Sequence, residues 1–542
     1  MTLLAVGCAS ALGYVFFWIY LASPVFGKLA TLALVVIVSA YFVEAPSRKK
    51  VLELIRLPDI WIPFALMLSV GLFLTAITYA GTEGMAVCPT DDYNFVNKRF
   101  AVSGSPDYLI QTYWVGGLSG GSPPWNYILD PAVSRSTVAD RAPLLAGIVL
   151  LFNSIVSGKY AFVYFMAMTS AASLAWIPAI WGLARLAGLT LVRTSALVAT
   201  LAFVYYFWFS TVYAWPKMLS GALFVGAIYL LFMDREKETE PVSIKSIILG
   251  AGFAGLSFVT HASVGMILLG MIPLLFMLKN WLGAGRIIVA ACVFLAIVTP
   301  YMALKSFHEG PSSLTKYALT GNLIHTMPAA AYNAMTPLDA VRKVYSTLTR
   351  DEIIQNRLAS FKYAFHAPCL MQCDGMSVKS SRAFELGPFT GSLKFFNLGW
   401  LILVPLLLIG NTRLGLPQSW NQVRAVAGDC LYVALSGLLV FFIISFSNVN
   451  NTATSGFMLL LATATGVVLF SLPSKMIGLF SLLVVSNFLW FTSQVFREDK
   501  LVPVYPLLAI AMLAVFGMAA LIMVSARIDR GEEYALKLGW RK

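Results

Sequence analysis

The sequence predicts an all-α polytopic membrane protein with about fourteen transmembrane helices. Hydrophobic residues make up 59% of the 542 residues and charged residues only 12%, and the mean hydropathy is +0.79. A chain with so few polar residues cannot cover the surface of a water-soluble fold of this size. Apolar runs of about 17 to 25 residues recur along the chain, and each is long enough to cross a hydrocarbon core of roughly 30 Å as a helix.

The apolar runs predict the individual spans in chain order. The first run, "MTLLAVGCASALGYVFFWIYLA", lacks a basic start and is followed at once by a second run, so we expect a retained helix rather than a cleaved signal peptide. The piece "APLLAGIVLLFNSIV", residues 142–156, is short for a span and predicts an interfacial or re-entrant helix. The predicted spans are residues 3–22, 28–45, 60–80, 160–183, 194–212, 218–233, 245–260, 262–278, 287–304, 395–410, 428–447, 453–471, 476–494 and 502–525.

The basic residues orient these spans. The net charge is +13, but Lys and Arg lie in short runs between apolar segments, which favours a membrane topology over nucleic-acid binding. With the N-terminus in the cytoplasm, 19 of the 38 Lys and Arg residues fall in the inner connections. The short outer connections hold only Lys28, Lys217, Arg497 and Lys500. The other 15 fall in two long segments, residues 81–159 and 305–394, which this orientation places outside.

The two long segments divide the chain into three predicted parts. These are an N-terminal transmembrane module with an acidic outer loop (1–304, loop 81–159), an outer-face region (305–394), and a C-terminal transmembrane module with a cytoplasmic tail (395–542). The inner piece "EAPSRKKVLELIRLPD", residues 44–59, is expected to lie along the membrane surface. In the outer segments, a disulfide between Cys369 and Cys373 and a disulfide from Cys88 to either of them are open alternatives.

Two adjacent carboxylates stand at the mouth of the third span. Asp91 and Asp92 lie in "CPTDDYNFVNKRF", which follows the apolar run that ends at Ala80. Thr90 can cap a helix whose first turn holds both, because carboxylates suit the positive end of the helix dipole. Capping explains one Asp better than the pair, since neighbouring helical residues point about 100° apart. Structural capping and general-base catalysis therefore both remain open.

Further charged residues surround this position. A loop rich in Asp, with isolated basic residues at membrane depth, suits an anionic lipid head group together with a base. Each basic residue also has a structural alternative: Lys217 at a span end can snorkel, His261 can be a satisfied helix-end histidine, and Arg141 can pair with Asp140. The acidic candidates are Asp107, Asp130 and Asp140, and the basic ones are Arg141, Lys217 and His261.

The chain resembles the GT-C superfamily of membrane glycosyltransferases, which use polyprenyl-phosphate-linked sugars. The resemblance rests on an acidic first large outer loop, interfacial helices at its end, and a second large outer loop near the middle. The passages "DDYNFVNKRF", "VADRAPLLAGIVL", "VYAWPKML" and "THASVG" look like the pattern of bacterial members that decorate cell-surface polysaccharides. It covers about the first 300 residues. Two spans precede the superfamily's usual first helix, and further spans replace a soluble C-terminal domain.

The resemblance implies a mechanism and a location. Asp92 or Asp91 would act as the general base on an acceptor hydroxyl, and Arg141, Lys217 and His261 would bind the donor phosphate, with inversion at the anomeric carbon. The expected partners are a polyprenyl-phosphate-linked sugar donor, a glycan or glycolipid acceptor and membrane lipids, without nucleic acid. No cofactor is expected, and two adjacent carboxylates alone are a thin metal signature. The expected location is the bacterial cytoplasmic (inner) membrane, with the active site facing the periplasm or exterior.

Two other classes share this architecture. A polysaccharide or lipid transporter (flippase) would also use many spans with Gly and Pro inside them. A polymerase or ligase of lipid-linked glycans would rely on arginine and histidine in a late outer loop. Residues 305–394 contain such a set, namely Arg342, Arg350, Arg357 and His366.

Overall fold

The structure is a computed structural model, and its description covers most of the chain. The described residues are 1–82, 107–121, 141–151, 161–212, 216–233, 242–262, 264–265, 268–271, 283–309, 313–321, 331, 334–365, 420–446, 455–498 and 502–537. Within these ranges the chain is almost entirely helical, which confirms the all-α class.

The helices of the N-terminal part come first along the chain. They are α1 (Thr2–Ala22), α2 (Pro24–Val43), α3 (Ala45–Ile55), α4 (Pro58–Thr78), α5 (Asp107–Gly120), α6 (Leu144–Leu150), α7 (Ala161–Ser173), α8 (Trp176–Leu186), α9 (Leu191–Leu201), α10 (Tyr205–Val212), α11 (Lys217–Met233), α12 (Ile244–Phe258) and α13 (Ala284–Glu309).

The remaining elements cover the second long segment and the C-terminal part. The helices are α14 (Ser313–Thr320), α15 (Pro337–Tyr345), α16 (Arg350–Phe365), α17 (Trp420–Ile444), α18 (Ser455–Ser471), α19 (Ser474–Glu498) and α20 (Tyr505–Lys537). Two short strands, β1 (Gly81–Thr82) and β2 (Val502–Pro503), pair antiparallel and join the end of α4 to the start of α20.

Seven helices in the described part are long and apolar enough to cross a membrane. They are α1, α2, α4, α7 with α8, α13, α17 and α20. The pair α9 and α10 is bent by 81° at its break and makes an eighth if it counts as one span. Four more predicted spans coincide with apolar helical stretches of 10 to 17 residues, in α11, α12, α18 and α19. The predicted spans 262–278 and 395–410 lie mostly or wholly outside the described residues, so the count of fourteen stays a prediction.

The outer surface of the bundle is apolar, as a hydrocarbon environment requires. Only 11% of the most apolar stretch of α2, and the same share of α13, is buried inside the protein. Large side chains such as Val36 on α2 and Phe516 on α20 are exposed. Exposed apolar surface on this scale is typical of lipid contact. Helix α3, within the predicted surface piece 44–59, has no buried residue among those whose exposure is described.

Helix α6 is buried instead of lying on the surface. It covers Leu144–Leu150, all seven of its residues are buried, and it packs against α1. The two helices cross at Gly13 and Gly147. They can approach this closely because residue 147 is a glycine, and any side chain there would collide with the backbone of Gly13. Residues 144–150 are therefore a buried helix within the bundle, and the choice between an interfacial and a re-entrant position stays a prediction.

The C-terminal helices complete the bundle rather than form a separate body. Helix α20 packs along α4 and α9, and α18 packs along α11 and α17. The carboxylate of Asp529 on α20 accepts hydrogen bonds from the first two backbone N–H groups of α9, at 3.1 Å (Leu191) and 2.9 Å (Val192). Arg193 donates to the last carbonyls of α18, at 2.9 Å from Ser471. The described parts of residues 1–304 and 395–542 thus share one helical core.

The bundle has two distinct ends, separated by the length of α18. The C-terminus of α18 meets Arg193, and its N-terminus meets the first turns of α11, where Gly221 lies against Gly456. A helix of 17 residues spans about 25 Å at 1.5 Å per residue. We name the end at Arg193 the paired end and the end at the start of α11 the cationic end.

Candidate functional site

The cationic end is built around the antiparallel pair α11 and α12. Ser220 Oγ donates to the Ser257 carbonyl at 2.8 Å, and Ser257 Oγ donates to the Ser220 carbonyl at 2.6 Å. Lys217 lies one turn before Ser220, and His261 lies one turn after Ser257. Because the helices run in opposite directions, this clasp sets Lys217 and His261 side by side at the same end.

Arg141 reaches this end through the chain that leads into α6. The Leu144 N–H donates to the carbonyl of Val259 at 3.1 Å, which ties the start of α6 to the end of α12, two residues before His261. The Gln111 side chain of α5 holds the same chain from the other side, since its Nε2 donates to the Ala142 carbonyl at 3.1 Å. Arg141 is therefore held beside the turn that carries His261.

Lys217 and Arg141 are both close enough to His261 to influence its charge. Burial lowers the pKa of His261 well below its ordinary value, and the positive charges of Lys217 and Arg141 lower it further. His261 lies in the turn after α12, and its ring is closely surrounded although part of its surface stays accessible. It is consequently neutral near pH 7. The convergence of these three residues is an observation, whereas their role in binding phosphate stays a prediction.

Lys217 adds to the positive potential of a helix N-terminus. It is the first residue of α11, and only 7% of its surface is exposed. The free N–H groups of the first turn already carry a partial positive charge, so a cation is less favourable there than at the other end of the helix. A phosphate at this end would be attracted by both features.

The structure does not test the acidic half of the predicted site. Asp91, Asp92, Asp130 and Asp140 lie outside the described residues. The backbone of Asp107 begins α5, so this residue stands at a helix start. The proposed base and its distance from the basic cluster therefore remain predictions.

The arginines of the second long segment have other roles or stay exposed. Arg357 on α16 donates to the Ser445 carbonyl, just beyond α17, and to the hydroxyl of Tyr345. Its guanidinium also stacks over the Tyr345 ring, 5.4 Å from the centroid. Arg342 and Arg350 are exposed, and His366 lies outside the described residues. Arg357 thus fastens α15 and α16 to the end of α17.

Sequence reasoning missed Gln111 and the serine clasp. Gln111 sits in "PDYLIQTYW", and a lone amide in an apolar helical stretch is a signal that could have singled it out. Ser220 and Ser257 carry no such signal, because their partners lie 37 residues away. Only the packing of α11 on α12 connects them.

The fold and this site define a class: a helical, multi-span membrane protein with a cluster of basic side chains at one end of its bundle. Among the described residues, no group of three or more His, Cys, Asp and Glu side chains is arranged to hold a metal ion. No protein-family model, curated protein or solved structure matches the chain. The function must therefore be argued from the site.

Proposed function

We propose that the protein is a membrane glycosyltransferase of GT-C-like architecture, with about fourteen spans. It transfers a sugar from a polyprenyl-phosphate donor to a cell-surface glycan or glycolipid acceptor. The observation that carries the proposal is the convergence of Arg141, Lys217 and His261 at one end of the bundle. Three basic groups from separate elements, one of them at a helix N-terminus, suit a phosphate group at membrane depth.

The reaction follows from the charges that must be handled. The carboxylate of Asp92, or of Asp91, takes the proton of an acceptor hydroxyl while that oxygen attacks the anomeric carbon. The bond between the anomeric carbon and the phosphate oxygen breaks, and its electron pair stays on the phosphate. Lys217 and Arg141 stabilise this negative charge, and His261 donates a hydrogen bond to it. Attack opposite the leaving group inverts the anomeric centre.

The proposed location is the bacterial cytoplasmic membrane, with the cationic end facing the periplasm or exterior. A cysteine-free variant with single cysteines at Gly120 on α5 or at Lys343 on α15 tests this, since both positions are exposed. An impermeant maleimide should label both in intact cells. A third cysteine, at exposed Lys475 on the paired end, should react only after the cells are opened. Protection of both outer positions would contradict the orientation.

The experiment that tests the function compares surface polysaccharides. Cells that lack the protein should lose one sugar component and accumulate its lipid-linked donor, and the wild-type gene should restore both. Lys217→Met, expressed at the same level, should fail to restore them. An unchanged sugar composition would contradict the proposal. If the protein were a transporter, a detergent extract of the cells that lack it would still transfer the sugar, because no membrane separates donor from acceptor there.

The polymerase or ligase alternative is not favoured by the described arginines. Arg357, its most buried candidate, already contacts a carbonyl and a hydroxyl within the protein. Breaking those contacts to bind a ligand would release the end of α17.

A further inference from the structure

Gln111 is the polar member of an otherwise apolar buried face of α5. The face is formed by residues 111, 114, 115 and 118, which share one side of a helix. Trp114, Val115 and Leu118 pack into the core, and the Trp114 ring meets Phe17 of α1 edge-on at 5.2 Å. Gln111 is 1% exposed at the same depth. A buried amide costs free energy in this environment unless it is hydrogen-bonded, and an apolar side chain would not carry that cost.

Within the described part of the chain, the side-chain amide of Gln111 has a hydrogen-bond partner for its nitrogen but none for its oxygen. Its Nε2 donates to the carbonyl of Ala142, the residue after Arg141. Its Oε1 is buried and accepts no hydrogen bond from any described residue. Buried acceptors are nearly always satisfied, and an exception in a site points to a ligand group or an ordered water. The unused acceptor lies beside the chain that carries Arg141 into the basic cluster.

We propose that Gln111 Oε1 accepts a hydrogen bond from a hydroxyl of the sugar whose phosphate is bound by Arg141, Lys217 and His261. This inference rests on the proposed function and adds the chemical class of the ligand: a hydroxyl-bearing phosphate ester rather than a bare lipid phosphate. The basic cluster supplies affinity for the phosphate, and Gln111 supplies selectivity for the sugar. A site with a buried acceptor rejects a ligand without the matching donor, because the acceptor then stays unpaired.

The test measures binding to the full-length protein in detergent. The probes are farnesyl phosphate and its glucose, galactose, mannose and arabinose esters. The wild type should bind at least one ester more tightly than farnesyl phosphate. Gln111→Met keeps the length of the side chain and removes the acceptor, so it should weaken that ester by roughly 10-fold while changing farnesyl phosphate by less than about 3-fold. Gln111→Glu keeps an acceptor oxygen and should retain more of the preference than Gln111→Met does.

Lys217→Met separates this inference from the proposed function. It should weaken farnesyl phosphate and the esters alike, because it removes a charge shared by all of them. If the wild type prefers no ester, or if Gln111→Met weakens farnesyl phosphate as much as the ester, the role of Gln111 is structural and the inference is wrong. Loss of selectivity in Gln111→Met with an unchanged melting temperature would support it. If the wild type binds no probe, or if Lys217→Met weakens none of the probes, both proposals fail.

Discussion

The two ends of the bundle handle charge in opposite ways. At the paired end, Arg185 on α8 forms an ion pair with Asp59 on α4 at 2.9 Å, and Trp181 donates to the same carboxylate at 3.1 Å. There Asp529 and Arg193 also cap the ends of α9 and α18. At the cationic end, the positive charges of Lys217 and Arg141 instead lie close enough to His261 to lower its pKa.

The difference predicts which charges stabilise the fold and which serve the proposed function. A charge that caps a helix or forms an ion pair lowers the free energy of the fold by itself. Like charges brought together raise it, and proteins concentrate such arrangements at functional sites. We therefore expect substitutions at the cationic end to change binding and catalysis, and substitutions at the paired end to change stability.

The largest effect is expected for the two carboxylates that are proposed as general-base candidates, Asp91 and Asp92. Asn at the essential one of Asp91 and Asp92 keeps size and capping ability but cannot take a proton, so transfer should fall by roughly 10²- to 10⁴-fold. The other single variant should stay near normal if that Asp only caps. The assay is transfer from a polyprenyl-phosphate donor in detergent, with melting temperature as the control. Normal transfer in the double Asn variant would contradict the assignment of the general base to Asp91 or Asp92 and leave Asp107, Asp130 and Asp140 as candidates.

The next effect compares one cation from each end. Lys217→Met should lower transfer by roughly 10- to 100-fold, because a charged hydrogen bond to the phosphate is lost. The melting temperature is measured alongside, so that a loss of transfer is separated from a loss of folded protein. Arg185→Met at the paired end is the matched control and should change transfer by less than about 3-fold. Equal losses of transfer in both variants would contradict the expectation that only the cationic end takes part in transfer.

A stability effect is expected at the paired end. Asp529→Ala removes the carboxylate that binds the Leu191 and Val192 N–H groups, and loss of a helix cap costs about 1–2 kcal/mol. The melting temperature should fall, while transfer per folded molecule should not change. Asp529→Asn should lie between the wild type and Asp529→Ala, because Asn also caps. A selective loss of transfer would assign Asp529 to function.

The smallest effect is a pH dependence due to His261. Its pKa in the folded protein is lowered by burial, Lys217 and Arg141, so the unfolded state binds the proton first as pH falls. Stability from this group is complete above about pH 6.5 and declines below it. The melting temperature of the wild type should therefore fall more than that of His261→Gln when the pH is lowered from 7.5 to 5.5. Equal falls in the two proteins would show that His261 is not held in a buried, positively charged environment.

The sequence predicts that the three basic residues share one side of the membrane, although not that they touch, for a simple reason. Lys217 and His261 each stand at the end of an apolar run, and the order of spans puts both ends on one side. Arg141 is predicted on the same side because it lies in the long outer segment, just before the piece that contains α6. The lengths and order of the apolar runs determine on which side of the membrane each span end lies, whichever helices are in contact.

Other features needed the packing of distant segments. The cap from Asp529 to α9 joins residues more than 300 positions apart, and the break between α9 and α10 interrupts a run that looks continuous. Gln111 could be noticed as an amide among apolar residues, but its half-used hydrogen bonding depends on Ala142 lying beside it. Sequence periodicity shows that a helix has a buried face, and not which atoms that face meets.

The sequence by itself determined the membrane class, the position of most spans and the segregation of basic residues between connections. These follow from hydropathy and charge, which act residue by residue against lipid and water. Only the tertiary structure decided that α6 is buried against α1, that Ser220 and Ser257 clasp α11 to α12, and that Arg141 joins Lys217 and His261. Those outcomes depend on close packing and hydrogen bonding between helices far apart in the chain, where the shapes of both partners decide the contact.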